Sequence, residues 1–173
     1  MATYGYTGTG TAEDGTDNYI VAYPVLFSGP TGSVLSAAHW YGRRTSGSGT
    51  NDVYVGLYTN GASLPVTRLD FITISCALTT TLTDYSASGG SYSLVTGTNY
   101  WIASACNLGI GWANRYAAAA SPAAYEAGTG LPATMSATSW TNSQFAFYFD
   151  YTEPLGRIKR LVKLQAVNRA STY

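Results

Sequence analysis

Charged side chains are scarce in this chain. Only 18 of its 173 residues are Lys, Arg, Asp or Glu, and long runs of the helix formers Glu, Lys, Leu and Ala are missing. The chain is rich instead in residues that favour strands and turns, with 23 Thr, 19 Gly, 17 Ser and 15 Tyr. The composition therefore predicts an all-β sandwich or barrel in one domain, and the seven or eight short strands expected from the sequence suit a two-sheet antiparallel β-sandwich better than a closed barrel.

Long apolar runs are missing as well. No stretch holds the roughly 20 apolar residues of a membrane-spanning helix, and the N-terminus lacks the basic and apolar regions of a secretory signal. The composition is nevertheless typical of proteins that work outside cells. A virion component, made in the host cytoplasm and released by lysis, reconciles the two observations. A mature fragment whose signal was removed is the competing explanation.

Histidine is nearly absent, so the chain has almost no residue that could act as the base of a Ser/His/Asp triad. His39 is the only histidine, it falls on an expected strand, and no G-x-S-x-G motif occurs. Glycoside hydrolysis needs two carboxylates facing each other, but the glutamates Glu13, Glu126 and Glu153 are widely spaced. We therefore expect a non-enzymatic protein without a cofactor, in which His39 is hydrogen-bonded to neighbours on a sheet face.

Metal and disulfide chemistry also has few residues to use. One histidine and two cysteines are too few for a typical zinc site. Residues 13–18 offer oxygen ligands for calcium but lack the EF-hand spacing, so an acidic turn without metal is favoured. Cys76 and Cys106 lie at expected strand ends. Two buried free thiols are favoured there over a disulfide, which requires close Cα atoms.

The clearest strand signal lies at residues 144–151. An aromatic side chain occupies every second position, so the aromatic rings share one face of a strand and need a cover. These residues are Phe145, Phe147, Phe149 and Tyr151. The inward-facing Val53, Val55 and Leu57 of another alternating segment are expected to help cover them.

Other alternating or β-branched segments bring the expected number of short strands to seven or eight. They lie at residues 19–27, 34–41, 52–59, 68–76, 79–83, 92–95 and 100–105. Pro24 cannot donate to a ladder, which predicts a sheet edge or a bulge there. Asn60-Gly61 predicts a tight turn. Residues 107–142 are expected to be a long loop region with one short strand near 110–113, and residues 1–18 an irregular lead-in or arm.

Several segments together resemble a jelly-roll-like β-sandwich module of bacterial surface proteins and tailed-phage structural proteins. They are Val53-Tyr-Val-Gly-Leu-Tyr58 with Asn60-Gly61, Ser63-Leu-Pro65 with Leu69, Val95-Thr-Gly-Thr-Asn-Tyr-Trp-Ile-Ala103, and Leu131-Pro132. The resemblance covers residues 19–152. It implies a sandwich used for adhesion, sugar contact or particle assembly, and it carries over no active-site residue.

An aromatic and polar cluster in the loop region suggests an alternative function. Flat aromatic rings stack on sugars, while amide and guanidinium groups bond sugar hydroxyls. The residues concerned are Trp112, Asn114, Arg115, Tyr116 and Trp140. The same side chains can equally plug the open end of a sandwich. The alternative to an assembly role is thus a carbohydrate-binding module that contacts a host-surface glycan.

The composition changes abruptly after Glu153. Residues 1–153 hold four basic and all nine acidic residues, a net charge of −5, whereas residues 154–173 hold five basic residues and no acid. The periodicity of this basic amphipathic segment fits a helix and a strand about equally well. We expect it to dock on a protein partner, rather than on a membrane or nucleic acid. The residues expected to make the contact are Leu155, Arg157, Ile158, Lys159, Arg160, Leu161, Val162 and Lys163.

These observations divide the chain into a lead-in at 1–18, a sandwich at 19–153 and a non-globular C-terminal arm at 154–173. The leading functional hypothesis is a structural protein of a tailed-phage virion, anchored by this arm. A capsid-decorating protein is the first choice and a tail or fibre component the second. The partner would be a capsid or tail protein. The oligomeric state is left open, including a homo-oligomer.

Overall fold

The computed structural model describes residues 1–15, 18–107 and 111–155. These residues form twelve strands and no helix, so they contain no helix long and apolar enough to cross a membrane. The predicted all-β class is confirmed. The strands are β1 (Ala2–Gly5), β2 (Ala12–Gly15), β3 (Tyr19–Leu26), β4 (Ser33–Arg44), β5 (Asn51–Gly61), β6 (Leu64–Cys76), β7 (Thr83–Ser88), β8 (Ser93–Leu94), β9 (Asn99–Cys106), β10 (Trp112–Ala127), β11 (Thr138–Phe145) and β12 (Phe147–Thr152).

All strand pairs are antiparallel, and together they form one curled sheet. The main path runs β1-β12-β4-β10-β3-β9-β5-β6, while β7 and β8 pair with β4, and β2 and β11 pair with β10. The long strand β10 connects the two parts of the sheet. Its first residues pair with β2 and β4, its middle with β11, and its last residues with β3.

The main core lies inside the curl. It joins aromatic residues around β12 to aliphatic residues of β5 and β6 in one continuous cluster. Phe145, Phe147 and Phe149 are completely buried there, and Val53, Val55 and Leu57 belong to the same cluster. The aromatic face and the residues predicted to cover it thus belong to one core. Burying one such side chain contributes roughly 1.5–3 kcal/mol to stability.

A second, smaller core lies on the opposite face of β3, β9 and β5. The segment after β10 folds back over this face, so that Leu131 and Met135 pack near Tyr58 and Trp101. Hydrogen bonds tie the segment down: Tyr58 Oη donates to the Pro132 carbonyl at 2.7 Å, and Met135 N donates to the Val66 carbonyl at 2.8 Å. This segment forms one wall of the pocket described below.

The prediction of one continuous strand at 144–151 is wrong at Ala146. The Ala146 amide donates to the Arg115 carbonyl, and its carbonyl accepts from the Tyr41 amide, each at 2.8 Å. These bonds to two different strands break the ladder. Phe145 therefore ends β11 and Phe147 begins β12, although both rings still enter the same core.

The predicted loop at 107–142 is the largest error, because it contains β10, the first part of β11 and much of their pairing. Alanine-rich sequence carries no alternating apolar signal, so β10 is held by its neighbours rather than by its own pattern. Pro122 lies inside this strand, where β10 and β11 shift register on both sides of it. The two shifts accommodate a residue that cannot donate to a ladder.

Smaller expectations also differ from the structure. The strand predicted at 79–83 lies later, at β7, and the lead-in at 1–18 contains β1 and β2 rather than irregular chain alone. The turn after β5 lies at residues 62–63, because Asn60 and Gly61 still pair with β6. β3 is an interior strand between β10 and β9 rather than the edge strand expected at Pro24, but the ladder to β10 ends at Ala22, so Pro24 pairs with β9 alone.

Candidate functional site

The two ends of the described chain lie side by side at one edge of the sheet. β1 pairs with β12 so that Ala2 faces Tyr151, and the residues just outside this pair are strongly exposed: Met1 at 94% and Leu155 at 74%. An open notch of about 420 Å³ lies between the ends. It is lined by Met1, Ala2, Tyr151, Thr152, Glu153 and Leu155.

Of the partner-binding residues predicted for the C-terminal arm, only Leu155 is described. Arg157, Ile158, Lys159, Arg160, Leu161, Val162 and Lys163 lie outside the described residues. The arm therefore continues from an exposed apolar residue next to the N-terminus.

The predicted glycan cluster does not form one exposed face. Trp112 and Asn114 are each 1% exposed, and the Trp40 indole nitrogen donates to Asn114 Oδ1 at 2.6 Å. The Trp40 and Trp112 rings lie 5.7 Å apart in the core. These two side chains fill the inside of the curl, where a sugar in solution cannot reach them.

The other three residues of that cluster are also held by the body of the protein. Arg115 donates to the carbonyls of Thr9 and Gly10 at 3.1 and 3.0 Å. Tyr116 and Trp140 each place a ring 5.9 Å from Phe145. The aromatic members of the cluster thus pack into or against the core, which agrees with the alternative that they have a structural role.

His39 lies on a sheet face between two carboxylates. Its Nδ1 is 3.3 Å from Asp84 Oδ2, and its Nε2 is 3.3 Å from Asp150 Oδ2. Its ring stacks on Tyr148 at 4.4 Å with 3° between the planes. Both ring nitrogens face an acceptor, so neither is directed at a serine hydroxyl as a general base requires. The structure thus contains the expected histidine, hydrogen-bonded to its neighbours on a sheet face.

The acidic stretch proposed for calcium places Glu13 against arginine instead. Arg43 bonds both carboxylate oxygens at 2.9–3.2 Å, and Arg115 Nη1 lies 3.5 Å from Oε1. The Arg43 hydrogen bonds are the main reason that the pKa of Glu13 is lowered. Asp17 lies outside the described residues. Within the described ranges, no three His, Cys, Asp or Glu side chains are grouped to hold a metal.

Glu126 and the two cysteines occupy structural positions. Glu126 accepts a 2.6 Å hydrogen bond from the Ser136 amide, a contact that fixes the segment after β10. Cys76 and Cys106 are free thiols, as favoured from the sequence, with Cys106 buried and Cys76 half-buried. Burial raises the pKa of Cys106 to about 12, which keeps it an unreactive thiol.

The sequence analysis missed a pocket on the outer face of β5 and β6. Arg68 places its guanidinium carbon 4.5 Å above the ring centre of Phe71, and Phe71 remains 42% exposed. In a regular strand, residues three apart lie on opposite faces. The register shift at Leu69 puts both on one face, since Leu57 pairs with Asp70 and Tyr58 already pairs with Arg68. Nothing in the alternation predicted that bulge.

Comparison of this chain with protein-family models, with curated proteins and with solved structures found no match.

Proposed function

We propose that this chain is a non-enzymatic structural protein of a tailed-phage virion, attached to the particle by its C-terminal arm. The position of the chain ends carries the proposal. Ala2 and Tyr151 pair at the sheet edge, and the exposed Met1 and Leu155 flank the notch beside them. An arm that leaves there extends from a finished fold, so it is free to bind a partner without disturbing the core.

The finer architecture that we propose is a jelly-roll-like sandwich of two sheets joined through β10. Its support is the composition of the main core, in which Phe147 and Phe149 share a cluster with Val53 and Val55 of distant β5. Facing layers of an antiparallel sheet pack in this way in sandwiches. Such a compact module, carrying one distinct anchor, suits a capsid-decorating protein first and a tail or fibre component second.

Charge supports a protein partner for the arm. The five basic residues after Pro154 carry no acidic neighbours in the sequence, whereas residues 1–153 carry a net charge of −5. An acidic surface on a capsid or tail protein, or on a second copy of this chain, would complement the arm. The aliphatic residues between the basic ones would supply the buried contact.

The test is assembly of a chain that lacks residues 155–173. The truncated protein is expected to keep the unfolding transition of the full chain but to be lost from particles purified by sedimentation. A full-length variant with the five basic arm residues changed to Gln separates charge from apolar contact. Arg44→Gln, a change of the same kind in the body, is the matched control. Normal incorporation of the truncated protein would overturn the anchor.

Glycan recognition is the second candidate function, and a specific observation favours it. The observation is not the predicted cluster around Trp112, which is buried, but the exposed Phe71 beside Arg68. An exposed aromatic ring next to an oriented guanidinium can bind a sugar ring and a charged substituent together. The test of glycan recognition at Phe71 and Arg68 is separate from the test of the arm.

A further inference from the structure

The pocket around Arg68 is small and concave. Its volume is about 330 Å³, and it is lined by Tyr54, Arg68, Phe71, Gly130, Leu131 and Pro132. This volume is at the lower end of the range for small-molecule sites, so it suits a single ring. Two of the lining side chains are aromatic and one is cationic, a combination that offers both an apolar surface and an anion-binding group.

Arg68 is held in position before any ligand arrives. Its Nη1 donates to the Leu131 carbonyl, and Phe71 supports the guanidinium plane. Among the described residues, Arg68 has no carboxylate within 4 Å, unlike Arg43 and Arg115, which both contact Glu13. A fixed guanidinium without an acidic partner is well placed to donate hydrogen bonds to the carboxylate of a ligand.

Gly56 makes room for Leu131, one of the residues that line the pocket. It lies opposite Phe71 across the β5–β6 ladder and between Tyr54 and Tyr58 in the chain. A Cβ at this position would be 2.5 Å from Leu131 Cδ1, so the missing side chain is what lets Leu131 lie against the sheet. The carbonyl of Leu131, which orients Arg68, is thereby brought to the pocket.

The surroundings disfavour a peptide that adds to the sheet. Strand addition needs an open edge with free backbone groups. At the near end of β6 that edge is occupied, because Arg68 N donates to the Ala133 carbonyl and Met135 N donates to the Val66 carbonyl. What remains accessible is the side-chain surface of Tyr54, Arg68 and Phe71, which a compact ligand can contact.

We propose that this pocket binds an acidic saccharide, with the ligand carboxylate on Arg68 and a C–H face of the sugar ring on Phe71 and Tyr54. Arg68 has further N–H groups besides the one bonded to Leu131, and a planar guanidinium matches a carboxylate in geometry. Sugar C–H groups gain contact with the exposed aromatic surface. The proposal extends the glycan-recognition candidate and does not depend on the arm.

The test uses the full chain and matched pairs of sugars. Binding of the methyl glycosides of glucuronic acid and glucose, which differ in one carboxylate, is measured by saturation-transfer NMR and titration. The methyl glycoside of N-acetylneuraminic acid is a second acidic probe. An acidic sugar is expected to bind at least about tenfold more tightly than glucose, since hydrogen bonds to charged groups contribute that much. Added salt should reduce this difference.

Variants locate the site. Arg68→Gln is expected to remove the preference for the acidic sugar, whereas Arg68→Lys should keep part of it. Arg44→Gln is the matched control, because Arg44 also donates to a backbone carbonyl, that of Gly47, and should leave binding unchanged. Phe71→Ala should weaken both sugars, with Phe71→Leu as the milder variant if Phe71→Ala does not fold. Thermal unfolding checks every variant.

Three outcomes would overturn the proposal. They are equal binding of acidic and neutral sugars, no saturable binding of either acidic glycoside, and an unchanged preference in folded Arg68→Gln. Hexaglutamate serves as the peptide probe. If it binds with the same dependence on Arg68 while the acidic sugars do not, the ligand is an acidic peptide and the saccharide assignment is wrong. Loss of particle assembly in the truncated chain has no bearing on any of these results.

Discussion

The hydroxyl of Tyr23 donates a 2.6 Å hydrogen bond to the carbonyl of Phe147, 124 residues away in the chain. The same oxygen accepts the Tyr6 amide at 2.8 Å. Tyr23 is buried, and desolvation raises the pKa of its phenol, so the group stays protonated and able to donate. One side chain on β3 thereby satisfies backbone groups at the end of β1 and the start of β12.

Tyr23→Phe is expected to destabilise the protein by about 1–3 kcal/mol, because it leaves the Phe147 carbonyl and the Tyr6 amide without this partner. Chemical denaturation measures the change. Tyr41→Phe is the control, since the half-buried Tyr41 hydroxyl makes no hydrogen bond among the described residues. Equal stability of the two variants would contradict the structural role of this bond.

Gly42→Ala is expected to destabilise the fold by about 1–3 kcal/mol, because the site has no room for a methyl group. A Cβ there would lie 2.2 Å from Trp40 Cζ2 and 2.5 Å from the Ala113 carbonyl oxygen. Gly130→Ala, where no atom lies within 4 Å of the added Cβ, should change stability by no more than about 0.5 kcal/mol. Thermal unfolding compares the two variants. A Gly42→Ala protein as stable as the Gly130→Ala protein would contradict the close packing around Gly42.

The pH dependence of stability is expected to contain a contribution from Glu13. Its folded-state pKa is lowered, chiefly by Arg43, so its contribution is present above the unfolded pKa and is lost as pH falls through the folded pKa. Glu13→Gln should therefore lower the urea midpoint at pH 7, and should lower it less as the pH falls below the unfolded pKa. The ion pairs of Glu13 with Arg43 and Arg115 are partly exposed, so the effect on stability is small and should weaken in salt. A difference that persists unchanged at pH 3 would argue against this assignment.

Asp14, the next residue, should behave in the opposite sense. Desolvation raises its folded-state pKa, and among the described residues its buried Oδ2 has no hydrogen-bond partner. The folded state then binds the proton more tightly than the unfolded state, so this group disfavours folding at pH 7 and ceases to do so at low pH. Asp14→Asn is expected to leave the urea midpoint unchanged or to raise it at pH 7. A clear fall would reveal a favourable role for the charge.

The two cysteines should react with thiol reagents at different rates. Cys106 is buried with a pKa of about 12, while burial also raises the pKa of the half-buried Cys76. Iodoacetamide at pH 8 is expected to label Cys76 before Cys106, with mass spectrometry of peptides as the readout. Both thiols should label in urea. Rapid labelling of Cys106 in the native protein, or no labelling of either cysteine until a reductant is added, would contradict this arrangement.

The sequence by itself determined the all-β class and the aromatic face, because composition favours strands throughout and alternation over a few residues decides which side chains share a side. Phe145, Phe147 and Phe149 lie in the core for this local reason. It also indicated two free thiols and a hydrogen-bonded His39. Each of these expectations depended on residue type and near neighbours alone.

Only the tertiary structure decided the role of the alanine-rich region and the location of the candidate pocket. β10 forms because β2, β4, β11 and β3 supply its partners, and such long-range pairing leaves no local pattern. The bulge at Leu69 likewise comes from how β5 and β6 align, yet it alone places Arg68 on the same face as Phe71. For Trp112 the sequence left a sugar-stacking surface ring and a buried ring both open, and the curl of the sheet, which closes over it, decided for burial.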